Sequence, residues 1–158
     1  MADSLDRGRD ETELERYDRN LTELTGELRV ALPGVQVLFA FLLVAPFNQR
    51  FGRVSDFEQK LYFASLLLTL LATMLLIAPT MIHRLTFQRG EKAYVVHTAN
   101  RLMISGLIVF ALAMTTAVLL VTHYLFGSLT AVITAIIVAA GFILIWCLLP
   151  LRRRLSVH

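Results

Sequence analysis

The sequence predicts an all-α, polytopic membrane protein with four transmembrane helices and an N-terminal amphipathic helix, and three observations carry that prediction. Leu102 to Leu151 contains no Lys, Arg, Asp or Glu. A crossing needs about 20 apolar residues to span roughly 30 Å of hydrocarbon, so this stretch is too long for one span and right for two. The chain is 56% apolar and only 17% charged over 158 residues, and a domain of this size has no interior that hides so many unbroken apolar runs from water. Lipid is therefore the solvent. Finally, the basic residues gather at the ends of the runs, where anionic headgroups are their nearest partner.

A net charge of +3 and a pI near 9.4 do not point to nucleic acid, because no basic stripe with interleaved aromatics occurs. Cys147 is the single cysteine, so no intrachain disulfide forms and the redox compartment stays open. No cleavable signal is expected before the first span.

In chain order, residues 1–11 read as a loose polar tail, since Asp3, Asp6, Arg7, Arg9 and Asp10 offer little apolar surface to offset ordering. Residues 12–32 read as a helix. Thr12 with Glu15 and Asn20 with Glu23 fit capping boxes, and Leu21, Leu24, Leu28 and Ala31 repeat at three- and four-residue steps. This amphipathic segment lies in the interface or stacks on cytoplasmic helix ends. Residues 33–151 form the four-span domain, with spans near 30–49, 59–83, 100–123 and 128–150, and residues 152–158 form a basic cytoplasmic tail.

The first span contains Pro33-Gly34, Gln36 and Pro46, so a break between the amphipathic helix and a span starting at Pro33 is expected, with a re-entrant hairpin as the rival. A polar connection from Phe47 to Glu58 follows. The second span is uncharged from Leu61 to His83, with Pro79 near its end, and a second loop runs from His83 to Lys92. Helix is expected to resume near Glu91, so the third span protrudes a turn or two from the bilayer. The fold-back between spans three and four falls at His123 to Ser128, where Gly127 breaks the helix among interfacial aromatics. Arg152, Arg153 and Arg154 then stop transfer.

Four spans put both termini on one side. Arg16, Arg19, Arg29, Arg84, Arg89, Lys92, Arg101 and Arg152 to Arg154 outnumber Arg50, Arg53 and Lys60 on the other, which places both termini in the cytoplasm of an inner, plasma membrane.

Three constellations are candidates for function. Gln36, Ser65, Thr69 and Thr73 offer a polar path; more often such hydroxyls bond the carbonyl four residues back and an amide such as Gln36 ties two helices. Glu27, Arg29, His83, Arg84, His97, Asn100 and Arg101 make either a cytoplasmic gate or polar ring, with His titrating near neutrality, or an ordinary interface of snorkelling side chains. Gly127, Ala131, Ala135 and Ala139 recur every four residues as a small-residue stripe for packing, within the chain or between subunits. Four short helices enclose little interior, which favours a homo-oligomer.

No Asp or Glu falls inside the expected spans, and no arginine ladder, filter-like loop, metal-ligand spacing or nucleophile elbow occurs. Neither an enzyme nor a bound metal or cofactor is expected. Glu27-Leu28-Arg29-Val30, Gly34-Val35-Gln36, Pro46-Phe47 with Arg50-Phe51, Ala78-Pro79 with His83-Arg84, and Asn100-Arg101 together resemble a family of small four-helix bacterial membrane proteins of unknown function. The likeness covers residues 20–125 and implies topology without any established active residue. Some members of that family are automatically labelled sodium/proton antiporters.

Three readings stand at this stage. The first is an ion channel or ion transporter acting on monovalent or divalent cations as a homo-oligomer. The second is a non-conducting structural or accessory protein that binds lipid or a partner. The third is a cation/proton antiporter.

Overall fold

The computed structural model describes residues 13–49, 51–86 and 92–148. The polar tail, most of the second loop and the basic tail expected from the sequence lie outside these residues, as do Thr12 of the first capping box, Arg89 and Arg152 to Arg154. The described chain forms four helices: α1 (Glu13–Val44), α2 (Asp56–Thr86), α3 (Lys92–Phe126) and α4 (Ser128–Ile143). Two single 3₁₀ turns, Ala45–Phe47 and Phe51–Arg53, join α1 to α2, and a π-helical turn, Leu144–Leu148, extends α4. No strand occurs among the described residues.

All four helices are long and apolar enough to cross a membrane, as the four uncharged runs require. The 32 residues of α1 and the 35 of α3 measure about 48 Å and about 52 Å at helical rise, well beyond the hydrocarbon thickness. Their polar N-terminal turns, with Glu15, Arg16, Arg19 and Glu23 on α1, extend past it.

Each of the first three helices buries one narrow seam. On α1 it is Leu28, Val35 and Leu42, two turns apart; on α2, Ser65, Thr69, Ala72 and Leu76; on α3, Val95, Ala99, Met103 and Ala113. The three- and four-residue steps on α2 and at the start of α3, and the seven-residue steps on α1, keep each seam on one helix face, from which side chains seat in the grooves of the next helix. Leu28, Val35, Ala72, Leu76 and Met103 merge into one core, edged by Leu24, Leu32, Leu107 and Phe110. The most extensive packing joins α2 to α3. Gly106 is what allows it: a Cβ there would stand 2.8 Å from Leu76 Cγ. Helix α1 lies across α2 and α3, whereas α4 touches α3 alone among the other helices.

The break expected at Pro33 does not occur, and neither does the re-entrant hairpin: α1 runs unbroken from Glu13 to Val44 with Pro33 inside it. Proline removes one backbone bond, that to the Arg29 carbonyl four residues back. Arg29 is exposed in the charged half of the helix, where water can satisfy the carbonyl, and Leu28, Leu32 and Val35 pack on both sides of the proline and hold the axis together. Tertiary packing overrides the local signal. The helix ends at Val44, and Pro46 lies within the 3₁₀ turn Ala45–Phe47 that follows. Gly127 breaks the chain between α3 and α4 with φ at +84°, and its N–H reaches back to the His123 carbonyl at 3.0 Å.

Candidate functional site

Ser55 and Glu58 begin the site as a reciprocal cap on α2. The Glu58 N–H donates to Ser55 Oγ at 3.4 Å, while Glu58 Oε2 accepts the Ser55 N–H at 2.7 Å and its hydroxyl at 2.9 Å. A serine followed three residues later by glutamate forms this box wherever a helix starts. Here the cap is also buried: Glu58 is only 8% exposed.

The other carboxylate oxygen turns toward α3. Glu58 Oε1 lies 3.1 Å from His123 Nδ1, and His123 Nε2 lies 3.2 Å from Ser128 Oγ at the start of α4. The Phe57 ring meets the imidazole edge-on, with centroids 5.1 Å apart. One chain of polar groups thus ties the first turns of α2 and α4 to the last turn of α3. With Nδ1–H donating to Glu58, Nε2 accepts the Ser128 hydroxyl proton, so the chain is complete with a neutral imidazole.

Beside this cluster lies a cavity of about 530 Å³ between the C-terminal halves of α1 and α3. Leu38, Phe41 and Leu42 line it from α1, and Met114, Val118 and Val121 from α3. Below Val35 the core closes the gap between the helices, so the cavity occupies the loop-bearing end of the bundle. The Tyr62 hydroxyl donates to the Leu42 carbonyl at 2.9 Å, fixing the end of α1, and the Phe51 ring packs on Tyr62 edge-on at 5.0 Å. Phe41 and Leu125, 65% and 60% exposed, are the lining residues most open to the surroundings. Among the described residues, Glu58 is the one charged side chain in the lining. A volume of this size, apolar walls and a few convergent polar groups are the usual make-up of a small-molecule site. A second hollow, of about 610 Å³, is lined by α2 residues alone and lacks an opposing helix.

The residues singled out from the sequence fall elsewhere. Ser65 and Thr69 are fully buried at the packed face of α2 and Thr73 partly so. Their hydroxyls donate to the carbonyls of Leu61, Ser65 and Thr69 at 2.9, 2.7 and 2.8 Å. Gln36 is exposed on α1, so it and the hydroxyls face different surroundings and form no common path within the chain.

At the opposite end of the bundle, Glu27, Arg29, Arg84, His97, Asn100 and Arg101 are exposed and His83 is half-buried. Among the described residues no ion pair joins Glu27 to Arg84 or Arg101. These side chains share one end of the bundle. In the small-residue stripe Ala131 is fully buried and Ala135 and Ala139 are half-buried, and α4 has only α3 to bury them against. Gly127 is exposed in the turn and does not belong to the packed stripe.

The cluster itself was not among the residues singled out. Glu58 lies just outside the expected second span of 59–83, in the first turn of α2, and is buried there. The S-x-x-E spacing was a legible signal for the cap. Nothing local announces that His123 meets it.

A family model described as a family of unknown function, DUF6328, matches residues 10–150. No curated protein and no solved structure matches the chain.

Proposed function

The chain belongs to this family of unknown function, and from that footing we propose that it is a non-enzymatic, non-conducting membrane protein that takes an amphiphile from the bilayer into the cavity between α1 and α3. The observation that carries this reading is the cavity itself: about 530 Å³ of apolar space, kept open where α1 and α3 separate and bounded at one point by a buried carboxylate. A chain that enters from lipid gains no hydrophobic transfer energy, so its retention rests on packing against the cavity walls and on its polar head. Supply is lateral, from the surrounding lipid. With both termini cytoplasmic, as the Lys/Arg distribution directs, the cavity belongs to the outer leaflet of the plasma membrane.

Mass spectrometry of the protein purified in mild detergent tests the reading. A bound single-chain molecule is expected, and Ala117→Phe, which fills the cavity, is expected to lose it. Equal recovery of bound molecules from both proteins overturns the proposal.

Ion conduction, and the cation/proton exchange for which some similar proteins are labelled, draw support from one position. Gln36 is a strongly polar side chain exposed on a helix long enough to span. A path built on it requires several copies with their α1 faces together, so this reading rests on a homo-oligomer. Cation flux into proteoliposomes that Gln36→Leu abolishes supports conduction in place of ligand binding. For exchange, the measurement is sodium- or pH-driven proton movement that is lost in Glu27→Gln.

A further inference from the structure

The cavity's single charged group narrows what its occupant is. Glu58 carries three hydrogen bonds: two from Ser55 to Oε2 and one from His123 to Oε1. A carboxylate offers about four acceptor positions, so Oε1 retains one. Glu58 places a carboxylate at the wall of an apolar space, and among the described residues no Lys or Arg lines that space. Such a site rejects a phosphate or carboxylate head, because like charges brought together away from water repel strongly. It receives a cationic donor with a charge-assisted hydrogen bond.

On the reading that the cavity binds an amphiphile, we propose that the occupant is a single-chain amphiphile with a protonated amine head, its alkyl chain lying between Leu38, Phe41 and Val118 and its ammonium donating to Glu58 Oε1. Ser55 and His123 act as positioning residues that hold the carboxylate toward the cavity.

The test uses the full chain in nanodiscs of zwitterionic lipid and a photoactivatable alkyl probe whose labelling is mapped to cavity peptides. Dodecylammonium, dodecanol and dodecanoate are compared as competitors. Dodecylammonium is expected to displace the probe at about a tenfold lower concentration than dodecanol, the gain of one charge-assisted bond, and dodecanoate is expected to be the weakest of the three. Glu58→Gln should remove the advantage of dodecylammonium over dodecanol. If dodecanol matches dodecylammonium on the natural chain, the head-group assignment is overturned while the cavity reading stands. If no competitor displaces the probe and Ala117→Phe labels as strongly as the natural chain, both fall. The comparison of the three competitors on the natural chain decides the matter even where Glu58→Gln fails to fold.

Discussion

Glu58 and His123, 65 residues apart in the chain, stand 3.1 Å apart at the end of the bundle, and the contact joins the first turn of α2 to the last turn of α3. Removing the imidazole leaves a buried carboxylate oxygen short of a partner. We expect His123→Phe to cost about 1–3 kcal/mol and Glu58→Gln less, because an amide keeps an acceptor for Ser55 without a charge to bury. Thermal unfolding of the detergent-solubilised protein, followed by circular dichroism, measures both.

Gly106 faces Leu76 so closely that any side chain must displace it. Gly106→Ala should destabilise by about 1–3 kcal/mol through overpacking. The Leu76→Ala background should relieve most of that cost, a coupling that a double-mutant cycle resolves. Additive effects would mean that the two helices separate freely at this point.

Gly127 sits at φ +84° and ψ 179°, a region open to glycine and closed to residues with a Cβ. Gly127→Ala meets no steric neighbour, yet it should cost about 1–3 kcal/mol in backbone strain alone. A chain carrying it that unfolds at the same temperature as the natural one would show that the turn adopts another conformation.

Thr69 spends its hydroxyl on the Ser65 carbonyl inside the α2 seam. Thr69→Val keeps the shape, and the carbonyl keeps its ordinary helical bond, so stability should move by less than about 1 kcal/mol. Any membrane permeability of reconstituted protein should be unchanged as well. A large loss in either measurement would assign the hydroxyl a role beyond its own helix.

The architecture was legible because uncharged length is itself the structural signal: Leu102 to Leu151 states two spans, and Gly127 states where they turn. The path of α1 was less so. Pro33 is a strong local breaker, and only the meeting of Leu28 and Val35 with Met103 and Leu76 explains why the helix ignores it. The candidate site was half visible. Ser55 and Glu58 carry the spacing of a cap, but the burial of Glu58 depends on α3 arriving with His123, and no periodicity encodes that encounter. Gln36 and the hydroxyl line drew attention as the polar groups in apolar runs. The hydroxyls are satisfied by their own backbone, which the sequence offered as the commoner reading.

Because α4 leans on α3 and on neither α1 nor α2, the first three helices complete their mutual packing without it. During synthesis that trio has left the ribosome before Ser128 follows, and domains assemble in the order they emerge. The last helix therefore joins a finished platform as an outrigger, and damage confined to it should spare the body that holds the Glu58 carboxylate.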